Sequence, residues 1–399
     1  MKNPKNLFLT GGFDAVLITG GVNKFYFTDF ESEDSLLLLL PGRAFFLVDK
    51  RYAEAARAAV SAGSPAAFAG SENTENYPCG IIDITAADPF EAAGEILRSE
   101  RVGKLGFEDA FVSYSDFLKM RKMPADLIPV SEKLYAMRKI KSPSEILRIE
   151  KAAEITEKTM AHVLNSLKEG VTEKDLADEI NAYMRKNGAE NVSFEPIVAF
   201  DANTARPHHA YGNAKLKNGS VVTVDLGAKF KGYCADMTRS FVFGGKNTAD
   251  SEYVVIYDAV FNAQRAALDF IAAESAENSR FAKNSAVKKF NGRSDAETLA
   301  GYGGVSGKDA DSVARNIIIE RGYGSFFTHA LGHAVGLEIH EQPRLSQKSG
   351  EKLLPGNVVT VEPGIYLERR FGVRIEDMIL LTADGVRNFY TAQKNLTYI

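Results

Sequence analysis

The chain has 399 residues, 45% hydrophobic and 25% charged, with a formal net charge of −4 and a pI of about 6.0. That length predicts two domains, or at most three, of an ordinary globular protein. The weak negative balance argues against a nucleic-acid or anionic-membrane partner. The two cysteines, Cys79 and Cys234, form no disulfide framework and fit a reducing compartment. The first residues, MKNPKNLFLTGGFDAVLITG, have a weakly basic start without a sustained apolar core or cleavage site. The longest apolar run, 36–41, is too short to span a bilayer, so a cytoplasmic protein is expected.

Residues 1–135 read as a self-contained α/β unit. Strands are predicted at 15–19, 35–40, 43–49, 80–85 and 104–107, with Pro41-Gly42 as a turn between the second and third. Helices are predicted at 51–61, 89–98 and 113–121. Strands alternating with helices point to a mixed or parallel sheet with helices on its faces. There is no glycine-rich phosphate loop, and 301–307 (GYGGVSG) has the wrong spacing for one. Residues 132–142 read as a charged connector. Ser142 then caps a long helix running to about residue 167, with Glu145 completing a capping box and Pro143 in the first turn. Residues 172–187 give a second amphipathic helix, closed by Gly188.

Chemistry-bearing side chains begin at 193–212, SFEPIVAFDANTARPHHAYG. Residues 195–200 read as a strand, followed by a loop carrying Pro207-His208-His209. In 221–239, Asp225 sits in an apolar strand and Asp236 in the next, with Lys231-Gly232 at the turn between them. Such a hairpin can bring the two carboxylates side by side. Burying them without a partner costs several kcal/mol. Arg239 is one available partner, so a structural ion pair competes with a cation site. Residues 259–271 and 308–321 are helical. Residues 272–302 are polar and helix-prone, with no convincing apolar stripe.

The stretch 328–343, THALGHAVGLEIHEQP, holds three of the six histidines. His329 and His333, four apart, share a face in helix or strand. Gly332 and Gly336 allow close backbone approach. Neutral imidazoles in a dry, apolar setting suit a metal or proton-transfer site, whereas a lone one would more simply be a hydrogen-bonded core histidine. His340-Glu341 does not open HExxH, because position 344 is Arg. In 354–381, one strand carries Glu362 and the returning strand carries Glu376 and Asp377, with a turn near 369–372. This repeats the two-aspartate hairpin and hints at an internal twofold. Asp225, Asp236, His333, Glu362 and Glu376 thus form an oxygen-rich set with one nitrogen. It suits Mn²⁺, Co²⁺, Fe²⁺ or Zn²⁺, and two ions offset four carboxylates better than one.

These residues resemble the pita-bread metallopeptidases: the Xaa-Pro aminopeptidases, the Xaa-Pro dipeptidases (prolidases) and the methionine aminopeptidases. The motifs are NTARPH at 203–208, VDLGAKFKGYCADMTR at 224–239, HALGHAVGLEIHE at 329–341, VEPGIY at 361–366 and GVRIED at 372–377. DAVLITGGVNKFYFTDF, VDKRYAEAA, VGKLGFED and MRKIKSPSEI extend the resemblance over nearly the whole chain and favour the proline-specific branch. It implies a creatinase-like α/β N-terminal domain at 1–135 and an α+β pita-bread catalytic domain with an internal pseudo-twofold at 136–399. It also implies two divalent ions, manganese first and cobalt, zinc or iron as alternatives. Asp236 and Glu376 would bridge them, Asp225 would chelate one, and His333 with Glu362 the other. His208, His329 and His340 would surround the substrate and stabilise the oxyanion, Glu362 would also shuttle a proton, and Arg374 and Tyr366 would support the ligands. Short proline-containing peptides would be the substrates, and the N-terminal domain would limit substrate length within a homodimer.

The sequence departs from the family pattern at Phe200-Asp201, where Ser-Gly is common, and at Ala334, where glycine is frequent. It has no tryptophan, and 272–302 looks like an insertion. A creatinase-like hydrolase and a non-catalytic binding module are the alternatives on this fold. The intact five-ligand set weighs against both.

Overall fold

Apolar runs in the first part of the chain become the middle of a six-stranded sheet. The computed structural model describes residues 1–9, 11–61, 77–85, 87–284 and 304–399, with only the backbone of 277–284. It divides into two units, Met1–Arg138 and Lys139–Ile399. The first contains α1 (Lys5–Leu9), β1 (Ala15–Ile18), α2 (Gly21–Thr28), β2 (Ser35–Leu40), β3 (Arg43–Val48) and α3 (Lys50–Ser61). It continues with β4 (Cys79–Asp83), α4 (Pro89–Ser99), β5 (Lys104–Phe107), α5 (Tyr114–Met120), β6 (Asp126–Pro129) and α6 (Ser131–Lys139), which crosses the boundary.

The sheet order is β4-β3-β2-β1-β5-β6. β1–β2 and β2–β3 are antiparallel, and the other three pairings are parallel. The expected mixed sheet is therefore present. Its central strands are buried on both faces, which explains why SLLLLL is apolar throughout rather than alternating. Residues 132–142, expected as a connector, are largely α6. Its Leu134 and Arg138 turn inward, and Arg138 Nη1 donates to Asn23 Oδ1 at 3.0 Å. Helix α2 escaped the sequence reading because Gly20 provides no side-chain cap and a lysine, Lys24, lies on its buried face. Lys24 Nζ donates to the carbonyl of Ser35 at 2.9 Å.

The second unit opens with α7 (Pro143–Ser166) and α8 (Glu173–Lys186). Both start with capping boxes, Ser142 with Glu145 and Thr172 with Asp175. Then come β7 (Asn191–Val192), β8 (Ile197–Phe200), β9 (Val221–Leu226), β10 (Ala228–Phe230), β11 (Tyr233–Cys234) and β12 (Met237–Val242). Helix α9 (Ser251–Asn284) follows, so the polar stretch after 271 continues a helix as far as 284. The rest of the 272–302 stretch lies outside the described residues. Helix α10 (Gly307–Glu320) precedes β13 (Gly332–Ala334), β14 (Glu341–Leu345), β15 (Val358–Val361), β16 (Gly364–Leu367), β17 (Phe371–Arg374), β18 (Asp377–Thr382) and β19 (Gly385–Asn388).

The main sheets run β12-β9-β8 and β14-β13-β15-β18-β19. Each contains the same device. A strand ends, the chain makes a short two-stranded excursion, and it returns antiparallel to the strand it left. β9 leaves and β12 returns around β10–β11; β15 leaves and β18 returns around β16–β17. This is the repeat foreshadowed by the two carboxylate hairpins. Apolar side chains of α9 and α10 pack with those of β13, β15, β17 and β18 into one core, which fixes the strands that carry the polar residues.

Candidate metal centre

The two excursions place acidic residues at matching ends of strand pairs. In the first, Leu226 pairs with Met237 and Asp225 with Thr238, so Asp236 lies just before the paired segment. In the second, Val361 pairs with Asp377, so Glu362 and Glu376 leave the ladder opposite each other. The Glu376 amide donates to the Thr238 carbonyl at 3.1 Å, which joins the two devices. His333 enters from β13, its amide held by Thr360 Oγ1 at 3.1 Å. Gly332 must be glycine here, because a Cβ would lie 2.1 Å from the Thr360 carbonyl oxygen. A Cβ at Gly336 would meet the Glu341 carboxylate at 2.5 Å.

Ligand atoms of Asp236, His333 and Glu376 come within 4.8 Å of one another, and all three residues are buried. His333 Nε2 lies 3.6 Å from Asp236 Oδ2 and 3.3 Å from Glu362 Oε1. Its Nδ1 donates to the Ala334 carbonyl at 3.2 Å. Nε2 therefore faces two carboxylate oxygens, an arrangement that requires a proton or a cation between them. Asp225 is tied to the cluster through Arg374, whose Nη2 donates to its Oδ2 at 2.7 Å. Arg374 Nε also donates to Thr238 Oγ1 at 3.0 Å, and Thr238 Oγ1 donates to Glu376 Oε2 at 2.7 Å.

Burial pushes the Asp225 carboxyl up, and it pushes Asp236 and Glu376 well above the ordinary range with added repulsion from neighbouring carboxylates. Glu362 goes the other way. Burial pushes it up, but the hydrogen bond and charge of His333, with His329 and Arg374 nearby, hold it at about 2. Asp225 Oδ1 and Asp236 Oδ1 are buried without a hydrogen-bond partner. Orphaned acceptors, crowded carboxylates and one imidazole nitrogen make up a donor set that fits divalent ions.

The competing ion-pair reading assigned Arg239 to these aspartates. Its Nη2 instead donates to Asp377 Oδ1 at 2.8 Å, and its Nη1 to the Glu376 carbonyl at 2.6 Å. Residues 236 and 239 are an odd number apart, so on an extended strand their side chains leave on opposite faces. Arg239 fastens β12 to β18 behind the cluster, while Arg374 is the cation on the cluster side.

The remaining histidines differ in their engagement. His329 precedes β13. Its Nδ1 donates to the Ala330 carbonyl at 2.8 Å, so Nε2 accepts from the Tyr366 hydroxyl at 2.9 Å. Burial lowers its pKa, which keeps that neutral tautomer. Tyr366 also accepts from Arg374 Nη1 at 2.9 Å. The His340 ring stands edge-on to His333 at 4.4 Å between centroids. Burial, with the charges of His333 and Arg344, lowers its pKa to about 4. His208 is close enough for its charge to depress both His329 and His340. Neither His208 nor His340 has a ring nitrogen hydrogen-bonded to another described residue. His209 is different: it is buried and bonded to Glu173 at 2.9 Å.

Sequence reasoning missed the supports of these segments. Asp311, buried on α10, and the partly buried Arg315 one turn on form a pair that holds the segment of His329. Arg315 Nη2 donates to the His329 carbonyl at 2.8 Å, and Asp311 Oδ1 accepts from the Leu331 amide at 3.1 Å. Lys141 Nζ reaches Glu341, beside His340, at 2.8 Å. Thr238 and Thr360 carry hydroxyls to the ligand side chains. Their only sequence signal is a threonine two residues from an acid in an otherwise apolar strand.

Residues 148–286 and 293–383 match Metallopeptidase family M24. Residues 5–140 match the Creatinase/Prolidase N-terminal domain. An Xaa-Pro dipeptidase of Pyrococcus horikoshii is 36% identical over 77% of this chain and 79% of its own length. Among solved structures, the Xaa-Pro dipeptidase from Bacillus anthracis superposes with a TM-score of 0.82 at 31% identity, covering 99% of this chain and 98% of that one. The X-Pro aminopeptidase from Thermotoga maritima MSB8 gives 0.80 at 29% identity, covering 97% and 98%.

Proposed function

Because the chain belongs to metallopeptidase family M24, we propose that it is a metal-dependent exopeptidase hydrolysing the N-terminal Xaa-Pro bond of short peptides. The observation that carries this reading is the buried Asp236–His333–Glu376 cluster with Asp225 and Glu362 beside it. The relatives named above are described as Xaa-Pro peptidases. Asp236 and Glu376 would hold two divalent ions between them, with Asp225 on one side and His333 and Glu362 on the other. Manganese is our first choice, with cobalt, zinc and iron fitting the same donors. Such ions supply Lewis-acid polarisation of the scissile carbonyl and acidify water.

The chain's own residues do the rest. His208 and His340 have ring nitrogens free for substrate and are the donors for the developing oxyanion. His329 contributes through its bond to the Tyr366 hydroxyl, which it can exchange for substrate. Glu362, 3.3 Å from His333 Nε2, carries the proton toward the leaving nitrogen. Arg374 holds Asp225, Thr238 and Tyr366 in register. The proline imide nitrogen has no N–H and its ring fixes φ, so the bond needs a dedicated pocket. The five metal-type side chains weigh against a non-catalytic module on the pita-bread fold. No described helix is long and apolar enough to cross a membrane. The first unit would limit substrate length, and the assembly would be a homodimer.

The test is hydrolysis of Xaa-Pro dipeptides beside Xaa-Pro-Yaa tripeptides, with Mn²⁺ and with Co²⁺. Cleavage of either class supports the reading and assigns dipeptidase or aminopeptidase character. Cleavage of neither, with metal bound, overturns it.

A further inference from the structure

The loop that carries His208 is organised around one carboxylate on another element. Glu173 is fully buried in the first turn of α8. Its Oε1 accepts from the Phe200 amide and from Asn203 Nδ2, both at 2.8 Å. Its Oε2 accepts from His209 Nε2 and from the Gly212 amide, both at 2.9 Å. The four donors are the last residue of β8 and three residues of the loop that joins it to β9. Each carboxylate oxygen thus takes two donors, and no other side chain of this size offers two acceptor oxygens in that arrangement.

His208 is held on both sides. On one, Arg374 Nη1 donates to the Pro207 carbonyl at 3.2 Å. On the other, the side chain of His209 ends on Glu173. The His208 ring itself has no hydrogen-bond partner among the described residues. Its place is therefore set by its backbone, and the backbone is set by these two anchors.

We propose that Glu173 is a positioning residue for the reaction, acting through His208 by fixing the loop from Phe200 to Gly212. This rests on the reading of His208 as a substrate-facing group. Glu173→Gln separates charge and geometry from bulk. A glutamine side chain of the same size has one carbonyl oxygen, so it can satisfy the donors on one side, while its NH₂ faces donors on the other. The loop must shift, and a displacement of about 1 Å costs on the order of 10²-fold in turnover.

The experiment is a double-mutant cycle with Glu173→Gln, His208→Ala and their combination, read as kcat and KM on an Xaa-Pro dipeptide, with bound metal counted in each. Glu173→Gln should lower kcat/KM by about 10–100-fold at unchanged metal content. In the His208→Ala background it should add less than about threefold, because its effect has already been removed. A full multiplicative loss in that background overturns the proposal, since Glu173 would then act independently of His208. So does a fully active Glu173→Gln. If His208→Ala is itself fully active while the enzyme cleaves Xaa-Pro, the assignment of His208 fails, and this inference with it. If Glu173→Gln does not fold, His209→Ala replaces it in the cycle, deleting one of the four bonds, with the same sub-additive outcome expected and the same additive outcome contradicting.

Discussion

Replacing Arg374 by methionine removes four donated hydrogen bonds at once: to Asp225, Thr238, Tyr366 and the Pro207 carbonyl. Methionine is close in bulk, so the change leaves little cavity and isolates the polar loss. Asp225, already with one orphaned oxygen, would lose the one cationic partner it has among the described residues. Breaking a buried ion pair by removing one partner costs about 3–5 kcal/mol. In a unit of this size about 1 kcal/mol shifts Tm by about 2–4 °C, so the metal-free variant should melt about 6–20 °C below the wild type. Divalent ions would partly neutralise Asp225, so the difference should shrink when metal is restored. Arg374→Lys keeps the charge but cannot reach four acceptors in different directions, so it should recover only part of the loss. The assay is calorimetry of the three proteins with and without chelator. A metal-free Arg374→Met within about 2 °C of wild type would refute the view that this guanidinium holds the cluster together.

Asp236→Ala should abolish turnover and reduce bound metal, with at least about two orders of magnitude lost in kcat; a variant retaining more than about a tenth of wild-type activity contradicts the bridging assignment. His340→Ala should lower kcat by about 10²–10³-fold with metal content near normal, and loss of metal would reverse the division of roles among the histidines. Asp236 and Glu376 have ordinary values of 3.8 and 4.5 and are held well above them in the fold. A raised folded value stabilises fully below the unfolded value and is lost as pH rises through the folded one. Metal-free protein should therefore melt lower as pH climbs from mildly acidic toward neutral, and metal should flatten the curve; a rising Tm in chelator over that window speaks against it. Light scattering at micromolar concentration should return about twice the 43.6 kDa chain mass, and a fully active monomer rules the dimer out.

Much of the centre was legible because acids in apolar strands are costly enough to need a reason. Asp225 interrupts a run that would otherwise be a plain core strand, Glu362 ends another, and two acids so placed in hairpins already suggest a shared cation. The sequence could not say which arginine answers them. Arg239 is near in sequence, but the strand sends it to Asp377; Arg374 is far away, and β17 delivers it. The pair His208-His209 was equally opaque, since adjacent residues of one kind diverge into a buried bond with Glu173 and an open ring. In the first unit, SLLLLL and RAFFLVD announced themselves by composition. Helix α2 did not, because its buried lysine donates to the carbonyls of a neighbouring segment, which the sequence does not reveal.

The central claim, two ions serving one peptidase site, is tested most directly by titrating metal-free protein with Mn²⁺ while following Xaa-Pro dipeptide hydrolysis and bound metal together. The account predicts activity that saturates at two ions per chain, with an Xaa-Ala dipeptide left largely uncut. Full activity at one ion per chain, or metal binding without any cleavage of the Xaa-Pro bond, would contradict it.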